Sequence, residues 1–188
     1  QEHPEIIEAA VLSSPMISIS TGSMPAWFAQ GLVKSMTYTN HLLSKTPWYF
    51  IGQGNYKDID FQDNDLTQSA KRDALFKYVY KKHPNLQLGR LTAYWLNETI
   101  EMTKVIFEQI NQLKTPILVL QSGADTIVDN EIQNKFCRML HQVNNNSCPM
   151  GLPVVIQKAR HELFLEKDIY RNESLLNTLE WFKSHSNN

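Results

Sequence analysis

Asp125 and His161 stand 36 residues apart, each just beyond a short apolar run. Ile117 to Leu120 runs through Gln-Ser-Gly-Ala to Asp125, and Val154 to Ile156 leads into Lys158-Ala159-Arg160-His161-Glu162. An apolar run closed by small polar residues is how a buried parallel strand hands a side chain to the loop at its C-terminal end. An imidazole oriented by a carboxylate can take the proton of an attacking hydroxyl, while the carboxylate fixes the ring tautomer and stabilises the imidazolium. The pair therefore reads as the base and acid of a nucleophile–base–acid system. Taken singly each residue is less specific: Asp125 also suits a turn after Gly123, and His161 a surface loop. Asp129 is a second acid nearby, but its place directly before a periodic apolar segment suits a helix cap.

The nucleophile is the missing third. No Gly-x-Ser-x-Gly occurs in the 188 residues. Ser23, in Thr21-Gly22-Ser23-Met24-Pro25, lacks the second glycine and follows a strand instead of joining a strand to a helix, so it is a poor candidate.

The elements that would position the pair alternate. Glu5 to Pro15 contains an apolar run ending in Ser13-Ser14-Pro15, the profile of a central strand. His3-Pro4 before it reads as the end of a helix whose body precedes Gln1. From about Pro25 to Leu113 the chain is helical in character. A first helix over 25–44 is expected to be mostly buried or covered by a partner. A second, after loop-like residues 45–65, is capped by Thr67 or Ser69. A third, long and amphipathic, carries Leu91, Trp95, Met102, Ile106, Ile110 and Leu113 and ends at Pro116. After the strand Ile117 to Leu120 comes a helix over 130–141, then the strand Val154 to Ile156. A final helix over 172–184 is expected to bury Leu175, Leu176, Leu179 and Phe182. Strand, helical insert, strand, helix, strand, helix is the back half of a parallel α/β sheet with a cap inserted after its first strand. Three parallel strands alone would expose a long edge, so a preceding half is expected to complete the sheet. The domain reading is 1–22 and 114–188 as core, with 23–113 as an inserted helical cap.

Composition excludes more than it selects. With 18 basic and 19 acidic residues the net charge is −1, which offers no bulk attraction to nucleic acid or to an anionic surface. No stretch of about 20 apolar residues suits a membrane span. Cys137 and Cys148 have neither the density of a secreted disulfide framework nor C-x-x-C spacing, so a reducing, cytosolic setting is expected, with their pairing left open. No His/Cys/Asp cluster has metal-ligand spacing, and neither metal nor cofactor is expected.

Several motifs in order resemble one family. These are Leu12-Ser13-Ser14-Pro15-Met16, Asp63-Asn64-Asp65-Leu66-Thr67 with Arg72, Leu88 to Leu96, Val128-Asp129-Asn130, Arg138, and Arg160-His161-Glu162-Leu163 followed by Glu166-Lys167-Asp168. Together they resemble the serine α/β-hydrolases of the bacterial lysophospholipase L2 and monoacylglycerol lipase group, across essentially the whole chain. In such hydrolases the triad follows the order Ser, Asp or Glu, His. The resemblance implies the C-terminal half of an α/β-hydrolase sheet with an inserted helical cap. It also implies Asp125 as catalytic acid, His161 as base, and a lysophospholipid or monoacylglycerol ester as substrate. The serine is then expected about 10 to 15 residues before Gln1, one average helix upstream. The 188 residues alone are expected to be inactive.

Met16, Trp95 and Val128 are the expected substrate-pocket residues, each near a strand end or the matched Leu88 to Leu96 segment. The cap aromatics Trp27, Phe28, Trp48, Tyr49, Phe50 and Tyr94 offer apolar surface for an acyl chain or for peripheral membrane contact, although packing of cap on core is the blander use. A bacterial enzyme, cytoplasmic or peripheral on the inner membrane, is the implied setting. Another esterase or a prolyl aminopeptidase of the same fold, or a non-catalytic lipid- or protein-binding chain, remain the alternatives.

Overall fold

The computed structural model describes residues 6–22 and 24–186; the expected helix tail at Gln1 to Pro4 and Ser23 lie outside the described residues. Strands β1 (Ala10–Ser13), β2 (Ile117–Ser122) and β3 (Val154–Ile156) form a parallel sheet in the order β1-β2-β3. Ala10 stands opposite Ile117 and Leu120 opposite Val154, so β2 is the central strand. It is buried at all six positions, which is why it reads as a near-continuous apolar run.

β2 runs two residues past the expected Leu120. Gln121 and Ser122 are buried because each is satisfied inside the protein. The Gln121 amide donates to Gln133 Oε1 at 3.1 Å, and the Ser122 hydroxyl donates to the Arg160 carbonyl at 2.7 Å.

Alternation along β2 divides the core. Ile117 and Val119 face Phe136, Cys137 and Leu140 on one side, with Ala10 and Leu12 of β1. Leu118 and Leu120 face Ile156, Leu163 and Trp181 on the other. Helix α4 (Asn130–Val143) thus covers the first face and α5 (Asp168–His185) the second. Asp129 caps α4: its Oδ1 accepts the N–H groups of Glu131 at 2.9 Å and Ile132 at 3.2 Å.

α5 corrects the sequence reading twice. It starts at Asp168, about a turn before the expected Asn172, and its buried residues are Ser174 and Trp181. Leu176, Leu179 and Phe182 are 57%, 65% and 42% exposed, and Leu175 is only partly covered. The helix is rotated so that the large Trp181 ring fills the space over Leu118, Leu120 and Ile156. A count of leucines favours the opposite face.

Between β1 and β2 lie α1 (Ala26–Leu43), α2 (Ala70–Lys82) and α3 (Ala93–Glu108). α1 packs along α3, yet only Val33 and Asn40 of α1 are buried, while Trp27 is 76% exposed. α3 begins at Ala93, where Thr92 accepts the Trp95 N–H at 3.1 Å; Leu91 precedes the helix and accepts from the Phe50 N–H. It stops at Glu108 and gives way to a short 3-10 turn before β2. Ser69 is the N-cap of α2 but makes no side-chain cap bond. The Thr67 hydroxyl instead donates to the Leu165 carbonyl at 2.7 Å, which fastens the helical segment between β1 and β2 to the residues just before α5.

Cys137 and Cys148 form a disulfide with Cα atoms 5.3 Å apart, and both are fully buried.

Candidate active site

The ends of β2 and β3 are joined before Asp125 is reached. Gly123 N–H donates to the Ile156 carbonyl and Ala124 N–H to that of Ala159, both at 2.9 Å. A Cβ at Gly123 would lie 3.1 Å from the Ile156 carbonyl oxygen and from Gln157 Cα, so glycine permits this close approach.

Asp125 Oδ1 then accepts the N–H groups of Ile127 at 2.9 Å and Val128 at 3.2 Å, while Oδ2 lies 2.9 Å from His161 Nδ1. One oxygen is held by backbone, leaving the other for the imidazole. An ionised carboxylate only accepts, so the shared proton sits on Nδ1, and Nε2 carries the basic lone pair. Among the described residues Nε2 makes no hydrogen bond.

The Asp125 side chain is fully covered, and that of His161 is 19% exposed. Burial pushes the Asp125 carboxyl up, but the hydrogen bond with His161 and those from Ile127 and Val128 outweigh it and hold the group below its ordinary value. The Asp125 hydrogen bond raises His161 above the ordinary imidazole value, against the opposing effect of burial.

The His161 loop is tied from two directions. From the sheet, the Ser122 hydroxyl holds the Arg160 carbonyl and lies 2.7 Å from the Ser14 hydroxyl, so the segments leaving all three strands meet beside His161. From the insertion, the Leu66 carbonyl accepts the Glu162 N–H at 2.8 Å, and the Arg160 guanidinium donates to the Asn64 carbonyl. Asn64 shapes that segment, its Oδ1 accepting the Leu66 N–H at 2.6 Å and its amide donating to Asp73. Sequence motifs assign no role to Ser14, Asn64, Gln68, Ser122 or Glu166. Their partners lie up to 108 residues away, beyond the reach of local pattern.

Of the expected pocket residues, Met16 and Trp95 line one cleft of about 230 Å³, with Ile17, Met102 and Thr103. Val128 is elsewhere: its side chain is buried, its backbone bridges to Ile19, and its N–H serves Asp125. A second cavity of about 320 Å³ is walled by Tyr56, Leu66, Phe76, Leu88 and Ile127, and so shares Leu66 and Ile127 with the segments that hold the two site residues. Among the described residues no group of three His, Cys, Asp or Glu is arranged to hold a metal ion.

This chain is 28% identical over 186 residues to lysophospholipase L2 of Escherichia coli K12, covering 99% of the chain and 53% of that protein. It is 28% identical over 169 residues to the probable lysophospholipase L2 of Haemophilus influenzae, covering 90% of the chain and 50% of that protein. The chain therefore spans about half the length of these relatives. Two solved structures share its fold. A soluble variant of monoglyceride lipase from Saccharomyces cerevisiae matches all of the chain and 56% of its own, with a TM-score of 0.66 at 15% identity. The Paleococcus ferrophilus monoacylglycerol lipase matches 98% of the chain and 62% of its own, with a TM-score of 0.65 at 20% identity. The family profile described as serine aminopeptidase, S33 matches residues 1–168, a span that holds all three strands, the insertion, Asp125 and His161. The fold is part of that of an α/β-hydrolase, and the chain belongs to the serine aminopeptidase S33 family.

Proposed function

We propose that this chain supplies the acid and base of a Ser-Asp-His triad in a lipid-ester hydrolase of the lysophospholipase or monoacylglycerol lipase type, with the serine on a segment outside these residues. The observation that carries the reading is the 2.9 Å bond between His161 Nδ1 and Asp125, which leaves Nε2 as a raised-pKa base. A serine hydroxyl placed at Nε2 gives up its proton as its oxygen attacks the ester carbonyl. The imidazolium, steadied by Asp125, then protonates the departing alcohol, and water repeats the sequence on the acyl-enzyme.

In this reading residues 1–22 and 114–188 belong to the core and 23–113 form the cap. The Met16–Trp95 cleft supports an apolar acyl group as substrate. Exposed Trp27 and Phe28 support peripheral contact with a membrane surface, and among the described residues no helix is long and apolar enough to cross one. The same base and acid would serve an amide bond, which the family's description as an aminopeptidase keeps as a second reading.

The deciding experiment assays the full-length protein on a lysophospholipid, a monoacylglycerol, a short aryl ester and a prolyl amide, with His161→Ala as control. Lipid-ester turnover lost in the control is expected. Turnover confined to the amide would replace the lipid reading, and activity that survives His161→Ala would remove the triad. Trp95→Ala should weaken kcat/KM about tenfold for long acyl chains and leave the short ester unchanged, since a cleft contact of ~1.4 kcal/mol is a factor of ten.

A further inference from the structure

The Glu166 side chain has no exposed surface, and among the described residues no cationic side chain donates to its carboxylate, although the Arg72 guanidinium donates to its backbone carbonyl at 2.6 Å. Its Oε1 accepts the Arg160 N–H at 2.8 Å and the Gln68 side-chain amide at 3.1 Å. Its Oε2 accepts the Lys167 N–H at 2.7 Å and the Gln68 N–H at 3.1 Å. Burying a charge is costly, and these donors offset that cost only while all of them are in place. Two come from the loop that carries His161 and its continuation, and two from one residue at the root of α2.

Gln68 reads the same loop a second time. Its amide also donates to the carbonyl of Lys158 at 2.7 Å, where the backbone takes a φ of 62° and bends toward His161. That left-handed conformation is unfavourable for a lysine and needs outside support. Asp125 orients the ring of His161; its backbone is held directly by the Asp65 carbonyl, which accepts the His161 N–H at 3.5 Å, and by the Ser122 hydroxyl, 3.4 Å from the His161 carbonyl, and through its neighbours by Glu166 on the Arg160 N–H, Ser122 on the Arg160 carbonyl and Leu66 on the Glu162 N–H.

We propose that Glu166 is a positioning residue that locks the His161 loop to Gln68 at the root of the helical insertion, so that the base is in register only while that root is seated. The proposal rests on the reading of His161 as catalytic base. Glu166 acts through position, since the charged groups that bear on the imidazole are Asp125 and Glu162. A glutamine at 166 would turn an NH2 toward two N–H donors and break the clamp with almost no change in volume.

The test uses the full-length protein on a soluble aryl ester, with kcat, KM, the pH profile of kcat/KM and thermal melting measured for Glu166→Gln, Gln68→Ala and both together. Glu166→Gln is expected to lower kcat at least tenfold with KM within twofold. As the Asp125 bond loosens, the acid limb should move to lower pH. Gln68→Ala, at a partly exposed site, is expected to fold and to show the same kcat loss and limb shift at smaller size. The double variant should lose less than the product of the two. If Gln68→Ala is folded with kcat and acid limb unmoved, the lock is refuted even where Glu166→Gln fails to fold. A lower melting temperature with wild-type kcat and acid limb in both variants would also refute it. The His161→Ala and Asp125→Asn controls separate the two levels: activity that survives in them sinks the catalytic reading itself, whereas activity lost in them but kept in Glu166→Gln sinks only the lock.

Discussion

The Leu66 carbonyl accepts the N–H of Glu162 at 2.8 Å, so a residue of the helical insertion holds the backbone next to His161. The segment between β1 and β2 and the His161 loop are hydrogen-bonded neighbours in space although 96 residues separate Leu66 from Glu162 in the chain.

Asp125→Asn should abolish most activity while leaving the fold intact. The Ile127 and Val128 N–H groups demand an oxygen at the Oδ1 position, so the asparagine NH2 must face His161 Nδ1. Nδ1 then becomes the acceptor, the ring proton moves to Nε2, and the base points its wrong face at the nucleophile. A fall in kcat on the order of 10³ to 10⁴ is expected, from the size of the same change in other triads. Imidazole ¹⁵N shifts of the variant would report the tautomer; an unchanged tautomer with unchanged kcat contradicts the assignment.

The pH dependence of activity and of stability should run in opposite directions near neutrality. Because His161 is raised, the acid limb of kcat/KM is expected above the ordinary imidazole value of about 6.5. The same raised pKa means the pair's contribution to stability is complete below about 6.5 and fades as pH rises through the folded value. Asp125 is lowered, so its contribution is present above about 3.9 and is lost as pH falls through its folded value. Melting curves of wild type and His161→Gln across pH should converge on the alkaline side; a gap that widens there would reverse the sign.

Removing the disulfide should matter for stability more than for catalysis. Cys137 and Cys148 close a loop of 11 residues, for which loop closure predicts a loss of about 3 kcal/mol on opening. Denaturant unfolding with and without reductant measures it, and thiol counting on protein isolated from its host shows whether the bond forms there. Two free thiols would show that it does not form there.

The exposed stripe on α5 tests whether a further segment covers it. Leu176 and Leu179 are mostly exposed on the described residues, so charging both as Leu176→Asp and Leu179→Asp should change the stability of the 188-residue chain by only about 0.5 kcal/mol each. If a further segment of the full-length protein packs over this face, each should there cost about 2 kcal/mol or more. Equal small effects in both would show that nothing packs there.

Features legible before the structure were those governed by neighbours along the chain. The apolar run of β2 and the period of α4 announce elements whose hydrophobic side must be buried, and Asp129 caps α4 because a cap needs only the next turn of backbone. Missed features depend on partners far away. α5 rotates Trp181 inward because a large ring fits over β2 and β3, which no count of leucines along one helix contains. Glu166 stands in a matched motif, but its burial rests on Gln68 and the Arg160 backbone, which come to meet it.

Sequence alone determined that a carboxylate and an imidazole follow two successive parallel strands, because strand period and strand ends are local properties. Tertiary structure decided the rest. It brought His161 within 2.9 Å of Asp125, aimed two backbone donors at the other carboxylate oxygen so that this one is left for Nδ1, and tied the His161 loop to the segment between β1 and β2. The physical reason is that a buried polar group is stable only where its partners converge, and convergence is a property of the folded chain.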